Sequence, residues 1–132
     1  WGMRGAMGVK LANTDKAVVA IEGDGSAMMT VQGLWTAASE GIPVVYVVCN
    51  NAEYRILKVN MDIYKNIVLK QPGAESRYMG MDFPVRPNFA QIAEAMGVYG
   101  RRIDDPEQVG PVMTEALALG KPALLDIIIG NQ

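Results

Sequence analysis

Short apolar runs separate the polar segments of the chain and predict the strands of a sheet. Ala17–Glu22 is rich in β-branched residues and is followed by Gly23, so it predicts a buried strand. Val44–Cys49 has six apolar residues without alternation, which is typical of a parallel strand covered on both faces. Val98–Ile103 and Ala123–Ile129 predict two further strands, the first of them weaker.

Between these runs the apolar residues recur every three or four positions, which predicts helices. Asn88 precedes one of these stripes as an N-cap, and Pro106 fits the first position of another, where no amide hydrogen is needed. Gln71–Pro87 carries three prolines and two glycines and predicts a long loop. The predicted helices are Gly2–Ala12, Ala27–Ser39, a segment from Ala52 into the sixties, Asn88–Met96 and Pro106–Leu119.

The predicted elements alternate along the chain in the order α-β-α-β-α-loop-α-β-α-β. Such alternation is typical of α/β proteins, in which helices cover both faces of a mostly parallel sheet and the crossovers are right-handed. We therefore expect a three-layer α/β/α fold. The 132 residues lie within the usual domain size of about 100–150, so residues 1–132 are expected to form a single domain.

The charge and residue content exclude several classes of function. Twelve Lys and Arg against 14 Asp and Glu give a net charge of −2, whereas a nucleic-acid binder needs a basic face. The chain has no His and one Cys. By itself it therefore holds no Ser–His–Asp triad, no Cys–His pair, no His-based zinc site and no disulfide framework.

The sequence also lacks the patterns that direct a protein to a membrane or out of the cell. No stretch approaches the roughly 20 apolar residues of a membrane span, and no charged segment precedes an apolar one as in an export signal. We therefore expect a cytoplasmic protein without membrane contact. The chain begins at Trp1 and not at Met, so we expect a fragment of a longer multidomain chain, truncated at its N-terminus.

The candidate chemistry lies where the first two predicted strands end. Asp24 follows the first strand and Asn51 follows the second, and ligands of open parallel sheets bind outside the carboxyl ends of the strands. A carboxylate oxygen and an amide oxygen suit Mg²⁺ or Ca²⁺ and do not suit a soft metal. If the two strands are neighbours, the sequence predicts a hard-cation site at this edge.

An anion can bind beside such a cation. Gly25 lets the backbone approach an anion closely. Ser26, Ala27 and Met28 open the next helix, so their amides lack intrahelical partners and can point at phosphate oxygens. Mg²⁺ usually completes its octahedron with phosphate and water. The pattern therefore predicts a diphosphate held at a helix start together with its magnesium.

A purely structural interpretation uses the same residues, because Gly-Asp-Gly and Asn-Asn are both common in turns. The occurrence of both, each at the end of a predicted buried strand, favours a site. Two other phosphate motifs are excluded. Gly23–Met28 lacks the third glycine of a dinucleotide fingerprint, and no Gly-Lys pair is followed by Ser or Thr.

Gly23-Asp24-Gly25-Ser26 and, after the 24 residues from Ser26 to Cys49, Asn50-Asn51 resemble the signature of thiamine-diphosphate enzymes. The surrounding block, GDGSAMMTVQGLWTAASEGIPVVYVVCNNAEY, is similar to the diphosphate-binding domain of the benzoylformate decarboxylase and acetolactate synthase group. Asp82–Gly97 and Pro122–Ile129 also follow the ending of that family, so the resemblance covers essentially the whole chain. It implies the thiamine-diphosphate-binding fold, with thiamine diphosphate and Mg²⁺ as cofactors.

The resemblance implies roles for individual residues. Asp24 would bind Mg²⁺ through its carboxylate, Asn51 through its side-chain oxygen and Glu53 through its backbone carbonyl, with two diphosphate oxygens and one water as the remaining ligands. Asn60 stands where benzoylformate decarboxylase has a bulky apolar residue in the substrate pocket, which argues against an aromatic 2-keto acid. The residues implied to contact the cofactor are Gly23, Gly25, Ser26, Ala27, Tyr54 and Leu57.

The resemblance also implies what this chain does not supply. In the family the cofactor lies between domains of two subunits, and a glutamate of the pyrimidine-binding domain assists removal of the thiazolium proton. We therefore expect a pyrimidine-binding domain as partner, a homo-oligomer, and a 2-keto acid as the substrate of the complete enzyme. No residue of this chain is expected to be catalytic, and the chain alone is expected to be inactive.

The leading interpretation is the cofactor-binding part of a 2-keto acid decarboxylase or carboligase, which is a lyase or a transferase. Part of a thiamine-dependent oxidase or acyl-CoA lyase on the same scaffold is one alternative. A non-catalytic assembly or regulatory module that retains the fold is another. The intact Gly23, Asp24, Gly25 and Asn51 argue against loss of the site.

Overall fold

A computed structural model describes residues 1–71 and 78–130 of the chain. In that part of the chain no helix is long and apolar enough to cross a membrane. The chain forms a π-helical turn at Tyr64–Val68 and a 3-10 turn at Pro106–Gln108. The strands are β1 (Val18–Gly23), β2 (Val44–Asn50), β3 (Tyr99–Ile103) and β4 (Ala123–Ile128), and the α-helices are α1 (Gly2–Ala12), α2 (Asp24–Thr30), α3 (Gly33–Ser39), α4 (Arg55–Ile63), α5 (Phe89–Ala95) and α6 (Val109–Ala118).

The described strands pair in parallel in the order β1-β2-β4-β3. The two most apolar runs, β2 and β4, occupy the centre, where both faces of a strand are covered. The register pairs Gly23 with Cys49 and Asn50 with Ile128. The carboxyl ends of β1, β2 and β4 therefore lie side by side, and we call this border the sheet edge. The predicted parallel sheet is confirmed, and it brings the Gly-Asp-Gly and Asn-Asn segments to one edge.

Two apolar clusters cover the two faces of the sheet and make the fold three layers thick. One cluster joins α1, α2, α3 and α5 to the side chains of Val44, Tyr46, Val48 and Leu124. The other joins α6 to the alternate side chains of the same strands, among them Val45, Val47 and Leu125. This alternation follows from the two-residue side-chain period of a strand. The expected α/β/α architecture is confirmed.

Among the residues that the structure describes, only one face of the edge strand β1 is covered. Its side chains alternate between half-buried and exposed. Val19 and Ile21 lie on the outer face and are 41% and 71% exposed. The same face of β2, by contrast, is buried in the cluster with α6. The apolar run Ala17–Glu22 therefore predicts the strand correctly but overstates how completely it is buried.

The prediction of one continuous helix over Ala27–Ser39 is wrong. α2 already begins at Asp24, and a turn at Val31 and Gln32 separates it from α3. The carbonyls of these two residues accept hydrogen bonds from the amides three residues later, those of Leu34 and Trp35, at 3.0 and 3.2 Å. Gly33, a weak helix former, follows the break. A Cβ there would lie 3.2 Å from Cγ of Arg4, so the glycine also lets α1 pack closely.

The chain divides into two compact units. The sheet unit comprises Trp1–Asn51 and Asn88–Gln132 and contains all four strands named above. The insert unit comprises Ala52–Pro87 and contains α4 and the π-helical turn. Of the predicted loop Gln71–Pro87, residues 72–77 lie outside the described residues, and residues 78–87 form turns with a single antiparallel bridge between Asp82 and Glu53.

Candidate functional site

The end of β1 passes directly into a helix at the Gly-Asp-Gly segment. Gly23 has extended backbone angles (φ −76°, ψ 155°) and caps α2, and Asp24 is the first helical residue. The Asp24 side chain is 2% exposed, and its Oδ1 accepts a hydrogen bond from the Gly25 amide at 2.8 Å. A Cβ on Gly23 would meet no atom within 4 Å. A buried carboxylate therefore lies beside an open stretch of backbone.

The other predicted cofactor residues of α2 divide between surface and core. Ser26 is exposed, whereas Gly25 and Ala27 are buried. Ala27 packs into the cluster beneath the sheet edge, so it anchors the first turn and offers a ligand only its backbone. The start of α2 is thus held by the packing of Ala27 in the apolar cluster, while Ser26 is exposed to solvent.

The end of β2 carries the two asparagines in different environments. Asn50 is fully buried, and its carbonyl accepts a hydrogen bond from the Ile129 amide at 2.9 Å. Asn51 follows it and is half-buried. Gly23 of β1 pairs with Cys49 of β2, and neighbouring strands run about 4.8 Å apart. Asp24 comes one residue after Gly23, and Asn51 comes two residues after Cys49. The two strands are neighbours, which is the condition on which the predicted cation site depends.

A buried aspartate that sequence reasoning missed lies beside this pair. Asp126 is fully buried in β4; its Oδ1 accepts a hydrogen bond from Asn50 Nδ2 at 2.8 Å and its Oδ2 one from the Phe89 amide at 3.1 Å. Burial raises the pKa of the Asp126 carboxyl, against the opposing effects of these hydrogen bonds and the charge of Arg102. The signal was a single acidic residue inside the apolar run Ala123–Ile129.

A glycine allows α5 to reach Asp126. A Cβ on Gly100 of β3 would lie 2.2 Å from the carbonyl oxygen of Ala90, which a real side chain cannot tolerate. Gly100 therefore lets α5 pack directly on β3. Asn88 caps the same helix, with its Oδ1 accepting a hydrogen bond from the Gln91 amide at 3.0 Å, as predicted.

Within the insert unit, the first residues are held by the segment around Asp82. Ala52 has a φ of 58°, which is rare for a residue with a Cβ and is often found at functional turns. The Ala52 carbonyl accepts from the Phe83 amide, and the Tyr54 amide donates to the Met81 carbonyl, both at 2.8 Å. The Tyr54 ring packs edge-on against Phe83, with centroids 4.8 Å apart.

Two cationic side chains contact the Glu53 carboxylate in the same unit. This carboxylate accepts from Arg55 Nε at 2.6 Å and from Lys58 Nζ, which also donates to Asp82. The hydrogen bonds from Lys58 and Arg55 lower the pKa of Glu53. Those to Asp82 and Glu53 raise the pKa of Lys58. Leu57, a predicted cofactor residue, lies on α4 and is 45% exposed.

The available donor atoms suit only a hard cation. Over residues 1–71 and 78–130, no three His, Cys, Asp or Glu side chains come together as a metal-binding group. A cation near Asp24 therefore has at most two side chains of these types from the described residues, and its other ligands must be amide or backbone oxygens and oxygens of a ligand. Mg²⁺ tolerates such a sparse protein shell because it keeps water and phosphate as ligands. The residues at this edge thus fit a diphosphate-bound Mg²⁺.

Comparison with known families decides where this arrangement belongs. The model of the C-terminal TPP-binding domain of thiamine pyrophosphate enzymes matches residues 1–127. The chain belongs to this family. The resemblance carried by Gly23–Ser26 and Asn50-Asn51 is thereby confirmed, and so is the expected fold.

Relatives of this TPP-binding domain are parts of much longer proteins. The chain is 35% identical over 134 residues to the acetolactate synthase large subunit of Haemophilus influenzae, covering 100% of this chain and 22% of that one. It is 34% identical over 132 residues to the mitochondrial acetolactate synthase catalytic subunit of Aspergillus candidus, covering 100% and 18%. The chain therefore spans about a fifth of the length of these curated relatives.

A solved structure also resembles the TPP-binding domain. The thiamine diphosphate-dependent 4-hydroxybenzoylformate decarboxylase of Rhodococcus jostii RHA1 superposes with a TM-score of 0.81 at 31% identity, covering 99% of this chain and 23% of the other. The proteins that this domain resembles therefore include both acetolactate synthases and a decarboxylase.

Proposed function

We propose that this TPP-binding domain holds the diphosphate of thiamine diphosphate through Mg²⁺, as part of a 2-keto acid decarboxylase or carboligase. The observation that carries the proposal is the shared sheet edge at which the buried Asp24 and the adjacent Asn51 follow neighbouring parallel strands. One carboxylate and one amide oxygen make the hard, sparse ligand set that a phosphate-bound Mg²⁺ uses.

The residues of α2 complete the proposed diphosphate site. Asp24 supplies a carboxylate oxygen to the cation, and its hydrogen bond with the Gly25 amide at 2.8 Å fixes the first turn. The Ser26 hydroxyl and the backbone at Gly23 and Ala27 face the diphosphate in this proposal. Thiamine diphosphate, when bound, supplies an ylid carbon able to add to a carbonyl group; the residues of this chain bind and orient it.

The motif assigns further cofactor residues in the insert unit. By the match of Asn51-Ala52-Glu53-Tyr54 to the family pattern, we propose the Glu53 carbonyl as a metal ligand and Tyr54 and Leu57 as cofactor contacts. The left-handed Ala52 and the ion pairs of the Glu53 side chain restrict this segment, which supports a role for its backbone.

The complete enzyme requires partners that we propose from the family. A pyrimidine-binding domain supplies the glutamate that assists deprotonation, and a homo-oligomer brings the two kinds of domain together. The relatives named above support this because the chain matches about a fifth of their length. We propose the cytoplasm as the compartment, in keeping with the free thiol of Cys49.

Calorimetric titration of the chain with thiamine diphosphate tests the proposal. Binding is expected with Mg²⁺ and is expected to vanish with a chelator. Asp24→Ala is expected to remove most of the binding, Asn51→Ala to weaken it, and Ser26→Ala to weaken it less. The matched control is Asp104→Ala, because Asp104 is an exposed acidic residue directly after β3 at the same sheet edge.

Equal binding with and without chelator contradicts the magnesium bridge. Equal losses for Asp24→Ala and Asp104→Ala contradict a specific role for Asp24. A 2-keto acid added to the loaded chain is expected to show no turnover, since the proposed deprotonating glutamate lies on the partner domain. Decarboxylation by the chain alone would overturn that assignment.

A further inference from the structure

Asn50 is held by β4 through both its backbone and its side chain. Its carbonyl accepts from the Ile129 amide at 2.9 Å, which continues the ladder between the two strands. Its Nδ2 donates to Asp126 Oδ1 at 2.8 Å, and both side chains are fully buried. The residue directly before Asn51 is therefore fixed in rotation about its side chain as well as in strand register.

Asp126 connects Asn50 to a second element. Asp126 pairs in register with Val48, which lies two residues before Asn50 on β2. Because side chains two residues apart in a strand share a face, the side chains of Asp126, Val48 and Asn50 lie on the same face of the sheet. Its second oxygen accepts from the Phe89 amide at the start of α5 at 3.1 Å. A carboxylate costs free energy to bury, even when it is hydrogen-bonded. An apolar side chain in β4 would avoid that cost, so the buried acid calls for a function.

We propose that Asp126 is a positioning residue for the cation site, acting through the side chain of Asn50 on the adjacent Asn51. This rests on the proposed function, in which Asn51 is a metal ligand. Groups that orient metal ligands without touching the metal commonly change metal affinity by about 10–100-fold when they are replaced. Asp126 holds one such group, the Asn50 amide, at the point where β2 ends.

Asp126→Asn is the direct test. The new Nδ2 replaces one of the two accepting oxygens, so the side chain can no longer accept from both Asn50 Nδ2 and the Phe89 amide. The expected result is a roughly 10–100-fold loss in the Mg²⁺-dependent affinity for thiamine diphosphate. Leu125→Val is the matched control, because Leu125 is the neighbouring buried residue of β4 and packs on the opposite face of the sheet. It is expected to lower stability without changing that affinity.

A double-mutant cycle separates positioning from general support of the fold. In the Asn50→Ala background, Asp126→Asn is expected to change the affinity no further. The side-chain amide resonances of Asn51 are expected to shift in Asp126→Asn and not in Leu125→Val. If Asp126→Asn does not fold, Asn50→Ala tests the same link from its other end and is expected to show the same loss.

The outcomes distinguish this inference from the proposed function. Binding weakened by Asn51→Ala but unchanged by Asp126→Asn and Asn50→Ala overturns the inference alone. Equal losses for Asp126→Asn and Leu125→Val, or additive losses in the cycle, also overturn it. Absence of Mg²⁺-dependent binding by the unchanged chain, or binding unaffected by Asn51→Ala, overturns the proposed function and the inference with it.

Discussion

The sheet unit and the insert unit are stabilised by different kinds of contact. In the sheet unit, apolar side chains from strands and helices form two buried clusters, with Asn50, Asp24 and Asp126 as the buried polar residues among those described. In the insert unit, α4 and the π-helical turn together contain no buried residue over Arg55–Val68. This unit is held by polar contacts, such as those of Lys58 with Glu53 and Asp82, and by the ring contact of Tyr54 with Phe83.

The difference shows what an apolar pattern reports. In strands β2 and β4 the apolar residues are buried, because helices cover both faces of these strands. In α4 and the turn after it the same kind of residues are present, yet Ile56, Ile63 and Ile67 are at least half exposed. Low burial favours local opening at a small free energy. The sheet unit is therefore expected to set the global stability, and the insert unit to respond locally.

Matched truncations of one apolar residue in each unit test this comparison most strongly. Leu124→Ala removes a fully buried side chain from β4 and is expected to lower the free energy of unfolding by about 2–5 kcal/mol. Ile67→Ala removes a side chain that is 70% exposed, and is expected to change it by less than about 0.5 kcal/mol. Urea denaturation measures both, and similar losses would contradict the contrast.

Tyr46 offers a pH-dependent test inside the sheet unit. Its hydroxyl is buried and has no hydrogen-bond partner among the residues that the structure describes. Burial, and secondarily the charge of Glu22, raise its pKa from 10.0 to about 12. The folded state thus holds the proton more tightly than the unfolded state. The bound proton of Tyr46 therefore contributes to the free energy of unfolding. This contribution is complete below pH 10 and is lost as the pH rises through 12, which lowers the free energy of unfolding by about 2–3 kcal/mol.

Tyr46→Phe is expected to abolish that alkaline loss. At neutral pH it is also expected to raise the free energy of unfolding by about 1 kcal/mol, because it removes an unpaired buried hydroxyl. Tyr64→Phe in the insert unit is the control, since Tyr64 is half-exposed; its stability should follow that of the unchanged chain from pH 9 to 12. Denaturant midpoints across this range decide, and an unchanged alkaline loss in Tyr46→Phe would contradict the account.

Lys58→Met has the smallest expected effect on global stability and tests the polar support of the insert unit. It removes the cation between Glu53 and Asp82 and keeps a similar side-chain length. Faster hydrogen exchange is expected at the Tyr54 and Phe83 amides, which bond across this segment, with unchanged exchange in β2. Added salt should reproduce part of the effect by screening. Slower exchange, or a change spread over the sheet, would contradict local support.

The elements that the sequence predicts best are those whose pattern results from burial. The predicted second strand agrees with β2 to within one residue, because an uninterrupted apolar run of this length is typical of a strand covered on both faces. The break at Val31-Gln32 is not predictable, since the apolar stripe continues through it and the packing of Arg4 beside Gly33 joins positions far apart in sequence.

The site residues show the same limit. Asp24 and Asn51 are recognisable because each directly follows a strand that the apolar pattern marks. Asp126 is not, because it lies inside a strand and its partner Asn50 is 76 residues away in the sequence. A contact of that kind depends on the order of the strands in the sheet, which the local pattern does not encode.

The uncovered face of β1 bears on how the chain behaves in solution. Natural sheets protect free edges with lysine, proline, bulges or a covering element. Val18–Gly23 has no lysine or proline, and Val19 and Ile21 face outward. Exposed apolar edge strands with little charge can start intermolecular β-pairing. We therefore expect association through β1 to increase with the concentration of the chain, without any loss of its folded structure.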